Sequence, residues 1–182
     1  SGPRELYLLL SGDYEMTGVF RGARVYRANV NATTMANVVA NALNKVVVRY
    51  LDGRRIKGTT EDFFPNRPSF HLHLYGTNER VDVRCKELKA VFFVRDFAGD
   101  PKRTDEVGFA RASVDASQGK KIAVRFKDGE VLCGYTLSYL PDRSGFFMVP
   151  ADPSNNNLRV YVLAHATREV RVGLAAEALA RN

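Results

Sequence analysis

The chain of 182 residues has no tryptophan, two cysteines, three histidines and no long apolar run. The thiols, Cys85 and Cys133, cannot build a disulfide framework and stand far outside CxxC or metal-ligand spacing. A reducing, cytoplasmic compartment is therefore the simplest expectation. No stretch approaches the roughly 18 apolar residues that cross a bilayer, and Leu6–Leu10 is too short for a signal-peptide core, so no membrane association is expected. There is no GxSxG, no glycine-rich phosphate loop and no paired-carboxylate motif, which argues against an enzyme. What is present is apolar: 45% of residues are hydrophobic and 10% aromatic, too many for a disordered chain.

The formal charge of +7, from 27 Lys and Arg against 20 Asp and Glu, raises the question of nucleic acid. It is spread as +1 over residues 1–34, +3 over 35–118 and +3 over 119–182, with no basic arm. The aromatics Phe63, Phe64, Phe70, Phe92, Phe93, Tyr139, Phe146 and Phe147 fall mostly at apolar strand positions, where a core claims them.

A duplication organises the chain. Val46–Phe70 aligns without a gap to Ile122–Phe146 at an offset of 76, with nine of 25 positions identical. Asp52-Gly53 answers to Asp128-Gly129, Gly58 to Gly134, Pro65 to Pro141 and Arg67 to Arg143. After a three-residue insertion, Arg80-Val-Asp-Val83 stands opposite Arg159-Val-Tyr-Val162 and Val91 opposite Val170.

Each copy reads as antiparallel β. Val46, Val48 and Tyr50 alternate with Val47 and Arg49, and Asp-Gly is a strong two-residue hairpin signal. A second strand over Arg54–Phe64 contains Gly58, which predicts a bulge or sharp bend. A turn at Pro65–Pro68 precedes Phe70–Tyr75, and two short strands near Val81–Cys85 and Ala90–Arg95 complete five. The expected organisation is an extension over 1–43, five-stranded barrels over 44–98 and 119–173, a linker over 99–118 and a tail over 174–182 that has helix formers, with Met35 as an alternative start. Strand-like alternation also runs through Gly18–Val30.

The DG hairpin, interior glycine and apolar third strand (Val48–Gly53, Gly58, Phe70–Leu74) resemble the first motif of the Sm, LSm and Hfq superfamily of SH3-like barrels. Val83–Val91 lies where the second motif belongs but lacks its Arg-Gly. Longer phrases, KGTTEDFFPNRPSFHL, LKAVFFVRDFAGDP and VRFKDGEVLCGYTLSYLPDRSGFFMVP, resemble a family of uncharacterised bacterial proteins with two tandem units. The resemblance implies an all-β bacterial cytoplasmic protein and brings no site residues.

The paired turns Pro65-Asn66-Arg67 and Pro141-Asp142-Arg143 present an arginine on a rigid loop, suited to a carboxylate or phosphate. They are the expected contact points for a protein or peptide partner, with homo-oligomerisation through edge strands as a further expectation. RNA is the alternative partner, with Arg54, Arg55, Lys57, Arg80 and Arg84 as phosphate ligands. Arg80 and Arg84 also have the RxxxR spacing of PilZ cyclic-dinucleotide sensors, whose second element is narrowly missed at Asp115–Gly119. His71 and His73 share a strand face without a legible third ligand, and His165 stands alone, so neither metal nor cofactor is expected.

Overall fold

The computed structural model describes residues 44–99, 108–109 and 119–181, and the backbone of 14–20 and 23–28. Two compact units are present, Ser1–Ala42 and Leu43–Asn182. The first holds an antiparallel hairpin, β1 (Tyr14–Phe20) and β2 (Ala23–Ala28), whose register shifts between Met16 and Gly18.

The second unit carries the duplication. Copy one contributes β3 (Asn44–Tyr50), β4 (Arg55–Thr60), β5 (Ser69–Leu74), β6 (Arg80–Arg84) and β7 (Leu88–Val94). Copy two contributes β8 (Lys120–Phe126), β9 (Val131–Thr136), β10 (Gly145–Pro150), β11 (Asn157–Leu163) and β12 (Thr167–Val172), followed by helix α1 (Leu174–Arg181). In both copies a one-turn 3-10 helix, Cys85–Glu87 or Ala164–Ala166, separates the last two strands. The fold is mainly β, as the alternation indicates, and the tail forms a helix. Most of the expected linker lies outside the described residues.

Both copies place their strands in one spatial order: fifth, first, second, third, fourth. The two expected five-stranded units are joined in the structure rather than each closed into a barrel. At the joint β11 pairs antiparallel with β7, matching Tyr161 to Val91 and Val162 to Ala90, so ten strands form one sheet that does not close. Its terminal strands are β12 and β6. At the centre of this joint lies β7, all seven of whose residues are buried, with β3 on one edge and β11 on the other. A half-covered strand of that composition would expose an apolar edge to water.

Local chemistry fixes the hairpins. Gly53 and Gly129 adopt φ of 87° and 89°, the left-handed conformation that the Asp-Gly turn requires. Asp52 and Asp128 each accept a hydrogen bond through Oδ1 from the backbone N–H two residues on, at 3.0 and 3.1 Å. The strand glycines do something other than the expected bulge, since the β3–β4 and β8–β9 registers run through them unbroken. A Cβ on Gly58 would lie 2.2 Å from the His73 carbonyl oxygen, and one on Gly134 would lie 2.1 Å from that of Val149. Glycine is required there because the backbone of the third strand comes too close for any side chain.

β4 ends at Thr60, four residues earlier than the sequence suggests. Asp62 accepts the backbone N–H of His71 at 2.9 Å, which turns the chain. Phe63 then enters the core, edge-on to Phe70 at 5.0 Å and Tyr161 at 5.3 Å. The core runs through both copies without a break: Val46, Val48, Leu72, Val83 and Val91 from the first, and Ile122, Val124, Phe126, Met148 and Val162 from the second. Each such side chain contributes about 1.5–3 kcal/mol on burial. Helix α1 buries Ala176 and Leu179 against Ala123, with Phe109 and Cys133 alongside.

A polar cluster clasps the junction. Lys89, 6% exposed, donates to the carboxylates of Asp128 and Glu130 and lies over the Phe126 ring. Arg49 donates to both oxygens of Glu130, at 2.8 and 3.0 Å, and stacks on Phe92. The hairpin of copy two is thereby tied to β3 and β7 of copy one. The Lys89 ammonium holds the Asp128 carboxyl below the usual carboxylate range.

Candidate functional site

Two open grooves flank the junction. The first, about 600 Å³, is lined by Pro65, Asn66, Arg67 and Pro68 of the first paired turn, by Asp82 and Arg84 of β6, and by Cys85 and Lys86. Copy two closes it with Ser144, Tyr161, Leu163 and His165. The second, about 540 Å³, is lined by Leu140 and Arg143 of the other turn, by Leu137, Phe146, Phe147 and Val149, and by Arg159. Pro65 and Tyr161 line both grooves. The Tyr161 hydroxyl donates to the Pro65 carbonyl at 3.2 Å, so one turn leans on the neighbouring copy and the grooves adjoin there.

The turns themselves are equivalent. Arg67 N–H donates to the Phe64 carbonyl and Arg143 N–H to that of Leu140, at 3.0 and 3.2 Å. Their side chains differ in setting. Arg67 lies over the Phe64 ring, 4.6 Å from its centroid, whereas Arg143 has Leu140 at the matching position. Arg159 sits over Phe93 and Phe147, at 4.3 and 4.9 Å. Arg67, Lys86, Arg143 and Arg159 form no ion pair among the described residues. Leu137, Leu140 and Val149 are 84%, 51% and 41% exposed, an aliphatic wall beside two arginines.

The structure thus brings Pro65, Asn66, Arg67 and Arg84 to one groove and places Arg143 in the adjoining one, while Pro141 and Asp142 complete the turn without lining it. The other expected phosphate ligands are elsewhere. Arg54 is paired with Asp52 at 2.7 Å and stacked on Tyr50, Lys57 donates to the Phe97 carbonyl, and neither they nor Arg55 line a groove. Arg80 is exposed on β6. The second PilZ-like element, Asp115–Gly119, lies outside the described residues apart from Gly119.

Two of the three histidines, His71 and His165, have ordinary partners. His71 Nδ1 is 2.7 Å from Asp62 Oδ2, a pairing the sequence did not disclose, and that contact holds the Asp62 carboxyl below its ordinary range. His165 Nε2 is 2.9 Å from the Leu88 carbonyl. Among the described residues no His, Cys, Asp and Glu group could hold a metal ion. Burial pushes the Cys85 thiol up, which keeps it protonated near neutrality and poorly nucleophilic. Burial likewise pushes the Tyr161 hydroxyl up, leaving it a neutral hydrogen-bonding group in the wall. The two grooves present cations and apolar side chains: Arg67, Arg84 and Lys86 in the first, and Arg143 and Arg159 beside Leu137, Leu140 and Val149 in the second.

Sequence reasoning missed Lys86, Ser144, Tyr161 and the wall of Leu137 and Val149. The available signal was divergence between copies: Leu137 replaces Glu61, Leu140 replaces Phe64 and Tyr161 replaces Asp82.

Among the described residues no helix is long and apolar enough to cross a membrane. A family model described as a family of unknown function, DUF6982, matches residues 42–173. No curated protein and no solved structure matches the chain.

Proposed function

The chain belongs to the DUF6982 family, whose model spans both copies of the duplication, and we propose that it is a non-catalytic binding protein. Its ligand is an extended peptide segment of a partner protein, bearing carboxylates and aliphatic side chains, laid across the adjoining grooves. The observation that carries this reading is the shared wall of Pro65 and Tyr161, which joins a groove holding Arg67, Arg84 and Lys86 to one holding Arg143 and Arg159 beside exposed leucines. Arginine suits carboxylates bidentately, and the aliphatic wall suits apolar side chains. The cationic groove also contains the carboxylate of Asp82, and Arg84 lies 4.0 Å from Glu87, so net attraction to an anion there rests on Arg67 and Lys86.

RNA fits less well. Binding a single strand needs aromatic faces open to stacking. The exposed aromatics Phe64 and Tyr75 each already hold one ring contact, with Arg67 at 4.6 Å and with Phe97 at 4.5 Å, and neither lines a groove. The PilZ reading has Arg80 and Arg84 exposed on β6 and no further support. Each five-strand set is read as an Sm-like, SH3-like unit, supported by the repeated strand order and by Gly58 and Gly134 at the tight approach of second and third strands. A bacterial cytoplasmic setting is consistent with two free, half-buried thiols.

The test is fluorescence anisotropy on the full chain with a labelled 12-residue peptide of alternating glutamate and leucine, beside a labelled 12-nucleotide oligouridylate. Saturable peptide binding is expected, weakened at least tenfold in the Arg67→Ala/Arg143→Ala double variant, on the order of two lost charge-assisted contacts. Tighter binding of the RNA, with a steep salt dependence and the same arginine dependence, would overturn the peptide reading.

A further inference from the structure

We infer that β6 is a docking edge for an antiparallel strand of the partner protein, a strand with a small residue opposite Val83 and an aromatic residue opposite Arg80. This deepens the peptide-binding reading and rests on it.

The backbone shows that the edge is open. Cys85 N–H donates to the Pro68 carbonyl and Leu74 N–H to the Glu79 carbonyl, while the register matches Phe70 to Val83 and Leu72 to Val81. In an antiparallel ladder alternate residues point their backbone groups to the same side. Val81 and Val83 therefore bond to β5, and the N–H and C=O of Arg80, Asp82 and Arg84 point outward. Among the described residues no strand pairs with that edge. Asp82 and Arg84 also line the first groove, so the edge runs into it.

The molecule contains its own template for the missing strand. β11 is the duplicate of β6, with Arg159, Val160, Tyr161 and Val162 standing for Arg80, Val81, Asp82 and Val83. Ala164 N–H donates to the Ser144 carbonyl, which turns Val160 and Val162 to β10 and leaves Arg159 and Tyr161 to face β7. The outward positions are the same in both copies, and in copy two they are filled. β7 places Ala90 opposite Val162 and Phe93 opposite Arg159, whose guanidinium lies 4.3 Å from the Phe93 centroid. Arg80 is the same residue at the same position without that ring.

The occupant is a partner's strand rather than a second copy of this chain. The free strand at the other end of the sheet, β12, is the duplicate of β7. It carries Glu169 where β7 has Ala90, Arg171 where β7 has Phe92, and Val172 where β7 has Phe93. A second copy would set Glu169 against the fully buried Val83 and offer Arg80 no ring. Charges on β12 keep copies apart, the usual protection of an exposed edge. Arg80, Arg84 and Lys86 favour acidic residues around the docked strand.

The probe is a synthetic peptide carrying Leu88–Val94 between two pairs of glutamates, titrated into the full chain by anisotropy and followed by amide hydrogen exchange. Expected are one-to-one binding and slowed exchange at the amides of Arg80, Asp82 and Arg84. Asp82→Pro removes an outward N–H without touching the β5 ladder, so it should bind at least tenfold more weakly while keeping the parent Tm. Arg80→Ala, or alanine for the probe's phenylalanine at the Phe93 position, should weaken binding about three- to fivefold. Binding that leaves those amides unprotected, or that Asp82→Pro leaves intact, overturns strand addition. If the Arg67→Ala/Arg143→Ala variant still loses binding in that case, the groove reading survives alone. Protection of the Asp82 amide in the chain without peptide, rising with chain concentration, would make a second copy the occupant and overturn the inference.

Discussion

Gly134→Ala is expected to destabilise the protein by roughly 2–4 kcal/mol in urea denaturation, and Gly58→Ala by a similar amount. The added methyl would stand 2.1 Å from the Val149 carbonyl oxygen in one case and 2.2 Å from that of His73 in the other, with the Met148 or Leu72 side chain at 2.8 Å. Backbone must move for either to fit, and both carbonyls belong to strands that pair with the glycine's own strand. A loss under about 0.5 kcal/mol at both sites, the range of ordinary surface changes, would mean that the approach is looser than described.

Val91→Asp is expected to cost about 3–5 kcal/mol, on the order of a domain's whole stability. Val91 is fully buried between Val48 on β3 and Tyr161 on β11, and a carboxylate there would lose its hydration. Its duplicate supplies the control. Val170 holds the same place on β12, where one neighbouring strand is absent and the side chain is half-buried, so Val170→Asp should cost less than half as much. Equal losses at the two sites, read from urea midpoints with unchanged slopes, would remove the distinction between joint and free edge.

The same pair of strands shows what the sequence discloses and what it conceals. The duplication, the Asp-Gly hairpins and the strand glycines were legible because each depends on residues adjacent in the chain. The joint depends on which of several strands finds which partner, and periodicity within one strand is silent about that. Composition did hold a sign of it: LKAVFFV in β7 is nearly continuous in apolar residues, as suits a strand covered on both sides, whereas TREVRV in β12 alternates. Lys89 obscured that sign, since its burial makes sense only beside Asp128 and Glu130, some 40 residues away. Among the groove-lining residues, Arg67 and Arg143 stand out in the sequence through their repetition. Tyr161, Ser144 and Lys86 do not, because at these three lining positions the copies differ. Gly58 and Gly134 were singled out for a bulge or sharp bend; the registers run through them without a bulge, and close passage of a neighbouring backbone is what excludes a side chain.

The joining of β11 to β7 also bears on how the protein comes apart. In a pair of tethered barrels each copy could melt on its own, at a temperature set by its own composition. Here β7 belongs to the ladders of both copies, the core passes from Val91 to Val162 without a boundary, and Lys89 anchors one copy's strand to the other's turn. Residues 43–182 should accordingly show a single calorimetric transition for this unit, with van't Hoff and calorimetric enthalpies in agreement, and two resolved transitions from it would contradict that coupling. The duplication reads twice in sequence and once in thermodynamics.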